Sequence, residues 1–87
     1  MSDKVYIFTA SFCQPCKRLK ESLEGQDEYI KTRNIKFFDI EESFELALKY
    51  NIRTAPTVLV LDEQDEVRTM SVGVSDLMQL KKVLCDV

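Results

Sequence analysis

Apolar and polar positions follow two rhythms along this chain. Within residues 4–10, the run Val5-Tyr6-Ile7-Phe8 predicts a buried strand. From Cys16 onward the spacing becomes helical. Cys16, Leu19 and Leu23 fall on one stripe, which predicts a helix over residues 14–24. Pro15 is tolerated in the first turn of that helix, and Gly25 supplies its stop. Residues 27–34 add a further helical turn. Ile35-Lys36-Phe37-Phe38-Asp39-Ile40 predicts a second strand. Ser43 caps a short helix running through Tyr50, with Phe44, Ala47 and Leu48 as its apolar members. Pro56-Thr57-Val58-Leu59-Val60-Leu61 is a β-branched and aliphatic strand opened by a proline. Residues 62–65 form a polar hairpin turn, and residues 66–72 an edge-like strand. Ser75 caps a last helix that packs through Leu77, Leu80, Val83 and Leu84.

The predicted order is β-α-β-α-β-β-α. This is an α/β architecture, a four-stranded mixed sheet flanked by three helices. The first two strands pair in parallel, because a helix connects them. The last two form an antiparallel hairpin, and helices cover both faces. No linker, repeat or low-complexity segment interrupts the 87 residues, so residues 1–87 read as one domain. A hydrophobic content of 45% is enough to build its core.

Composition narrows the function. The net charge of -3 is mild and the signs are interspersed, so no basic patch points to nucleic acid. No apolar run approaches the roughly 20 residues that span a bilayer. The start, Met1-Ser2-Asp3-Lys4, lacks the basic and apolar regions of a signal peptide, so a cytoplasmic protein with reduced thiols is expected. Histidine is absent, which removes Cys-His nucleophiles, Ser-His-Asp triads and histidine metal ligands together.

The chemistry rests on Cys13-Gln14-Pro15-Cys16, at the junction of the first strand and the first helix. Two thiols at this spacing can cycle between dithiol and disulfide. Cys13 sits where the helix's first N–H groups point outward, which lowers its pKa below that of a free thiol. It is therefore the attacking nucleophile. Cys16, one turn in and more buried, attacks Cys13 within the mixed disulfide and closes Cys13–Cys16. Half of a zinc site is the competing reading of the same spacing. It lacks ligands here, since only Cys85 remains. Cys85 itself reads as a small, partly buried apolar residue. Thr54-Ala55-Pro56-Thr57 is the second element. Its proline is either a strand-start residue or a cis peptide in a tight turn. Glu41-Glu42 and the acids of residues 62–66 read as solvated loop faces, although acids can also steer a basic partner.

These residues resemble the thioredoxin superfamily along nearly the whole chain. Phe12-Cys13-Gln14-Pro15-Cys16-Lys17 resembles the signature WCGPCK. Tyr50-Asn51-Ile52-Arg53-Thr54-Ala55-Pro56-Thr57 resembles YGIRGIPT, and Val72-Gly73-Val74 resembles the glycine turn bordering the substrate groove. The resemblance implies a minimal thioredoxin fold, with Pro56 cis and packed beside Cys13 and Cys16. It implies a substrate groove of Phe12, Gln14, Pro15, Ala55, Pro56, Gly73 and Val74, in which the Ala55 backbone pairs with an extended substrate segment.

In lacking the first strand and helix of a thioredoxin, the chain is similar to glutaredoxins. Thr54-Ala55-Pro56 resembles their TVP motif, and Val72-Gly73-Val74-Ser75-Asp76-Leu77 resembles GGCSDL. That likeness implies glutathione binding through Thr54 and Asp76. The departures are specific. Ala10 replaces the glutaredoxin lysine, and Gln14-Pro15 replaces the Pro-Tyr dipeptide. Ile7 stands where thioredoxins carry a buried aspartate, and Phe37, with Lys36 adjacent, where they carry its lysine partner. The resemblance as a whole implies a small redoxin of bacterial or phage type that reduces protein disulfides, with ribonucleotide reductase as one recipient of electrons. It needs no metal or organic cofactor. Its electrons come from a flavin-dependent thioredoxin reductase or from glutathione, and it acts as a monomer. A binding module that uses the same groove, with incidental redox activity, is the alternative.

Overall fold

The structure, a computed structural model, describes residues 3–85. Residues 1, 2, 86 and 87 of the expected domain lie outside that description. Eight elements follow one another: β1 (Lys4–Thr9), α1 (Gln14–Ser22), α2 (Asp27–Thr32), β2 (Ile35–Asp39), α3 (Phe44–Lys49), β3 (Thr57–Leu61), β4 (Val67–Val72) and α4 (Leu77–Val83). The sheet runs in the order β2-β1-β3-β4. β1 pairs with β2 in parallel, from Val5↔Ile35 to Thr9↔Asp39. β3 lies antiparallel to both β1 and β4.

Strand position explains the burial. β3 lies inside the sheet with both faces covered, and all five of its residues are buried. β4 is an edge and is mostly exposed, as its mixed sequence predicts. The period-2 alternation of β1 divides its side chains between two cores. Val5 and Ile7 join Val58, Leu19, Leu23, Val74 and Leu80 on one face, with Tyr29 and Ile30 of α2 packed alongside. Phe8 joins Leu59, Leu61, Ala47 and Ile52 on the other. α1, α2 and α4 thus cover one face and α3 the other.

Three local expectations are corrected. The segment after α1 is a helix of its own, α2, so four helices flank the sheet. Gly25, at φ +76°, turns the chain between α1 and α2. Ser43 occupies the N-cap of α3, but its side chain makes no capping hydrogen bond. The Asp39 carboxylate instead accepts the N–H groups of Glu41 at 2.8 Å and Glu42 at 3.2 Å in the preceding turn. Asp76, not Ser75, caps α4: its carboxylate accepts the Gln79 N–H at 2.8 Å. Gln79 reaches back to the Ser75 N–H at 2.8 Å, in the reciprocal manner of a capping box.

The start of β1 is tied to the β3–β4 turn by a Lys4–Asp65 ion pair. The hydrogen bond between the two raises the Lys4 pKa and lowers that of Asp65. A raised lysine stabilises the fold below its ordinary value of 10.5 and loses this as pH rises through its folded value. A lowered carboxyl stabilises above its ordinary value of 3.8 and loses this as pH falls through its folded value. Asp65→Asn should therefore lower stability slightly across neutral pH, with the deficit fading at both extremes and in high salt. A deficit unchanged at pH 2 in urea titrations would contradict the pairing. In the core, Leu80→Ala should cost about 2–5 kcal/mol, because Leu80 is fully buried. Met78→Ala on the same helix should cost under about 0.5 kcal/mol, since Met78 is 70% exposed. Equal shifts in urea midpoint would show that α4 does not pack as described.

Candidate functional site

The central strand β1 aims the chain at the site. After Thr9, a short loop closed by the Cys13 N–H donating to the Ala10 carbonyl at 3.3 Å carries the chain into α1. Cys13 is the N-cap of that helix, with extended backbone at φ -99° and ψ 108°. Its sulfur accepts the Cys16 N–H at 3.2 Å, taking the place a serine or aspartate oxygen usually fills. Pro15, in the first turn, lacks an N–H that would have had no partner there. Cys13 and Cys16 are joined as a disulfide, with Cα atoms 5.2 Å apart. The two differ in access: Cys13 is partly exposed, whereas Cys16 is 2% exposed on the helix face turned to the sheet.

A shallow hollow surrounds Cys13. Its lining is Ala10, Ser11, Phe12, Cys13, Gln14, Pro15, Glu41 and Ala55. Phe12 is 100% exposed and forms an apolar lip. The Ala55–Pro56 bond is cis, and Pro56 is buried behind Ala55. Two hydrogen bonds hold this segment. The Thr57 hydroxyl donates to the Thr54 carbonyl at 2.6 Å, and the Gly73 N–H donates to the Pro56 carbonyl at 2.9 Å. Gly73 takes φ +83°, a conformation that favours glycine.

Of the residues anticipated from sequence, Phe12, Cys13, Gln14, Pro15 and Ala55 come together around the hollow. Pro56 and Gly73 support it from behind through their mutual hydrogen bond. Thr54, Val74 and Asp76 do not line it. The Val74 side chain is committed to the core, and the Asp76 carboxylate is engaged as the α4 cap. Ile7 is fully buried against α1, and Phe37 packs beside the same core. Thr9 and Thr57 are the buried polar side chains among the described residues, and neither is a carboxylate. Cys85 is exposed, not partly buried as expected. It borders a cleft with Asp3, Val5 and Arg68, at the end of β1 opposite Cys13.

Ala10, Ser11 and Glu41 are additions that motif reading missed. Parallel pairing of β1 and β2 was the signal for them. Parallel strands end on the same side, so the loops after Thr9 and Asp39 must be neighbours. The Ile40 N–H donates to the Thr9 carbonyl at 2.8 Å, and the Ser11 hydroxyl donates to Glu41 Oε1 at 3.3 Å.

Among the described residues, no group of three or more His, Cys, Asp or Glu could hold a metal ion. No helix there is long and apolar enough to cross a membrane. A mixed sheet that presents an N-capping cysteine, bonded to a buried partner one turn away, defines a protein with a redox-capable CxxC disulfide. Comparison with known proteins agrees. The thioredoxin family model matches residues 2–86. The thioredoxin of Bacillus subtilis is 40% identical over 68 residues, 76% of this chain and 64% of the relative. That of Buchnera aphidicola is 36% identical over 78 residues, 88% of this chain and 71% of the relative. The X-ray structure of Fasciola hepatica thioredoxin superposes with a TM-score of 0.80 at 19% identity, covering 97% of this chain and 80% of that one. The chain belongs to the thioredoxin family. It spans somewhat less than two thirds of the Bacillus relative's length.

The difference in access makes a chemical prediction. Brief alkylation of the oxidised protein should label Cys85 alone. After reduction by dithiothreitol, Cys13 should react about tenfold faster than Cys16. Equal labelling of Cys13 and Cys16 by peptide mass mapping would contradict the burial of Cys16.

Proposed function

We propose that this chain, acting as one domain, is a protein-disulfide reductase that works through a Cys13–Cys16 dithiol/disulfide cycle. The observation that carries the reading is the unequal access of two bonded sulfurs at a helix N-terminus. In the reduced protein the Cys13 thiolate attacks one sulfur of a substrate disulfide. A Cys13–substrate disulfide forms, and the first substrate thiolate leaves and takes up a proton. Cys16 then gives up its proton and attacks Cys13 Sγ. The Cys13–Cys16 disulfide closes, and the second substrate sulfur leaves and is protonated. Two electrons have passed from the dithiol to the substrate.

The local groups suit these steps. The Cys16 N–H already points at Cys13 Sγ, and a charge-assisted hydrogen bond favours the thiolate. Burial of Cys16 keeps it from outside disulfides while leaving it one turn from Cys13. Phe12 offers an apolar contact, and Ala55 sits beside Cys13, where an extended substrate segment can add its backbone. With Ile7 in that place, no buried carboxylate among the described residues can take the Cys16 proton. That proton passes to the leaving substrate thiolate or to water.

Family membership and the Pro15 and Lys17 matches favour a flavin-dependent thioredoxin reductase as electron source. Engagement of Asp76 as a helix cap weighs against the glutathione arm. The reading needs no cofactor beyond the dithiol, and a reducing cytoplasm suits it. Disulfide-bearing proteins, ribonucleotide reductase among them, are the proposed substrates. A net charge of -3 without a basic patch favours proteins over nucleic acid, and a monomer suffices for every step.

Insulin reduction tests this directly. NADPH oxidation is followed with either a bacterial thioredoxin reductase or glutathione plus glutathione reductase. Turnover is expected in the first arm, with loss of at least about 1,000-fold in Cys13→Ser. Turnover in the glutathione arm alone would reassign the electron source. No turnover in either arm, even from chemically reduced protein, would overturn the reductase reading and favour a binding module. Such a module would keep its function in the Cys13→Ser, Cys16→Ser double variant.

A further inference from the structure

We infer that Glu41 makes the hollow around Cys13 selective for disulfides flanked by basic residues, arginine above all. The inference rests on the reductase reading and names its substrate class. Glu41 is the one charged side chain that lines the hollow. It is held there from two sides. Its N–H donates to the Asp39 carboxylate at 2.8 Å, which sets the turn after β2. Its Oε1 accepts the Ser11 hydroxyl at 3.3 Å, which draws the carboxylate toward the Cys13 loop. No cation pairs with it among the described residues. The charge is therefore exposed, drawn toward the Cys13 loop and without an ion-pair partner among the described residues.

The neighbours reinforce that sign. Glu42 follows it and is exposed. Asp39 adds a third carboxylate to the same turn, its oxygen committed to the N–H groups of residues 41 and 42. Lys17 points to solvent from α1 and does not line the hollow. On the same hollow as Glu41, the fully exposed Phe12 ring offers a flat apolar surface. A carboxylate and an aromatic face on one small hollow suit a guanidinium, which accepts both kinds of partner at once. An acidic side chain at the same place meets repulsion and finds no donor side chain with positive charge. The chemistry itself is unchanged: the dithiol still passes two electrons to the substrate disulfide. Glu41 sets which disulfides dock.

Three cyclic peptides test this, each with one disulfide and differing only in whether Arg, Gln or Glu flanks the cysteine. Second-order rate constants are measured with pre-reduced protein at low and high salt. A pair of unit charges about 4 Å apart in water corresponds to about a fivefold change. The Arg peptide should react about fivefold faster than the Gln peptide, and the Glu peptide about fivefold slower. Both ratios should contract in 0.5 M salt and in Glu41→Gln. Glu66→Gln removes the same charge near the opposite end of the sheet and should leave the ratios intact. Equal rates for the three peptides would overturn the selectivity alone, because the reductase reading requires only that the Gln peptide react. So would an Arg preference that survives Glu41→Gln or falls equally in Glu66→Gln. No reaction with any peptide would overturn the reductase reading, and the inference with it.

Discussion

The parallel pairing of β1 with β2 is the constraint on which the site depends. Two parallel strands cannot be joined by a tight turn, so the chain must cross back over the sheet between them. α1 and α2 make that crossing. α1 consequently begins where β1 ends, and its N-terminus opens at the edge of the sheet layer. Cys13 falls at this junction, and the first-turn N–H of Cys16 reaches its sulfur. The same pairing brings the turn after β2 alongside, with Glu41. Antiparallel β3 runs the other way, so its beginning, with Ala55 and Pro56, arrives at the same end. Three chain segments thus meet around one sulfur because of strand direction alone.

Side-chain burial then gives two chemically identical sulfurs unequal access. Cys16 lies on the stripe with Leu19 and Leu23 and faces the sheet, so packing removes it from solvent. Cys13 lies at the N-cap, outside that stripe. The core beneath is apolar throughout, with Ile7, Val5 and Val58 against α1. An isoleucine where thioredoxins carry a buried aspartate spares the fold the cost of an unpaired buried carboxyl. In the proposed cycle it leaves the Cys16 proton to solvent and substrate.

Much of this could be read from the sequence. Strand and helix periods located every strand, and the CxxC with its flanking strand identified both sulfurs. The misses have physical causes. Ser43 and Ser75 have the chemistry of caps, but the Asp39 carboxylate orders the turn before α3 through the N–H groups of Glu41 and Glu42, and Asp76, one residue after Ser75, takes the Gln79 N–H of α4. α2 has no buried side chain of its own, so its apolar signal was too weak to mark a separate helix. Glu41 looked like any solvated loop acid, because its placement depends on a strand pairing across about thirty residues of chain. Motif likeness placed Thr54, Val74 and Asp76 near the site. In the fold, core packing takes the side chain of Val74 and helix capping takes that of Asp76.

The central claim is that Cys13, and no other sulfur, attacks the substrate. Its most direct test is to mix reduced Cys16→Ser protein with a disulfide-bearing substrate and map the trapped adduct by mass spectrometry. A stable mixed disulfide at Cys13, formed near one to one and absent from Cys13→Ser, is the predicted result. An adduct carried on Cys85, or no adduct while Cys13 is a free thiol, would contradict it.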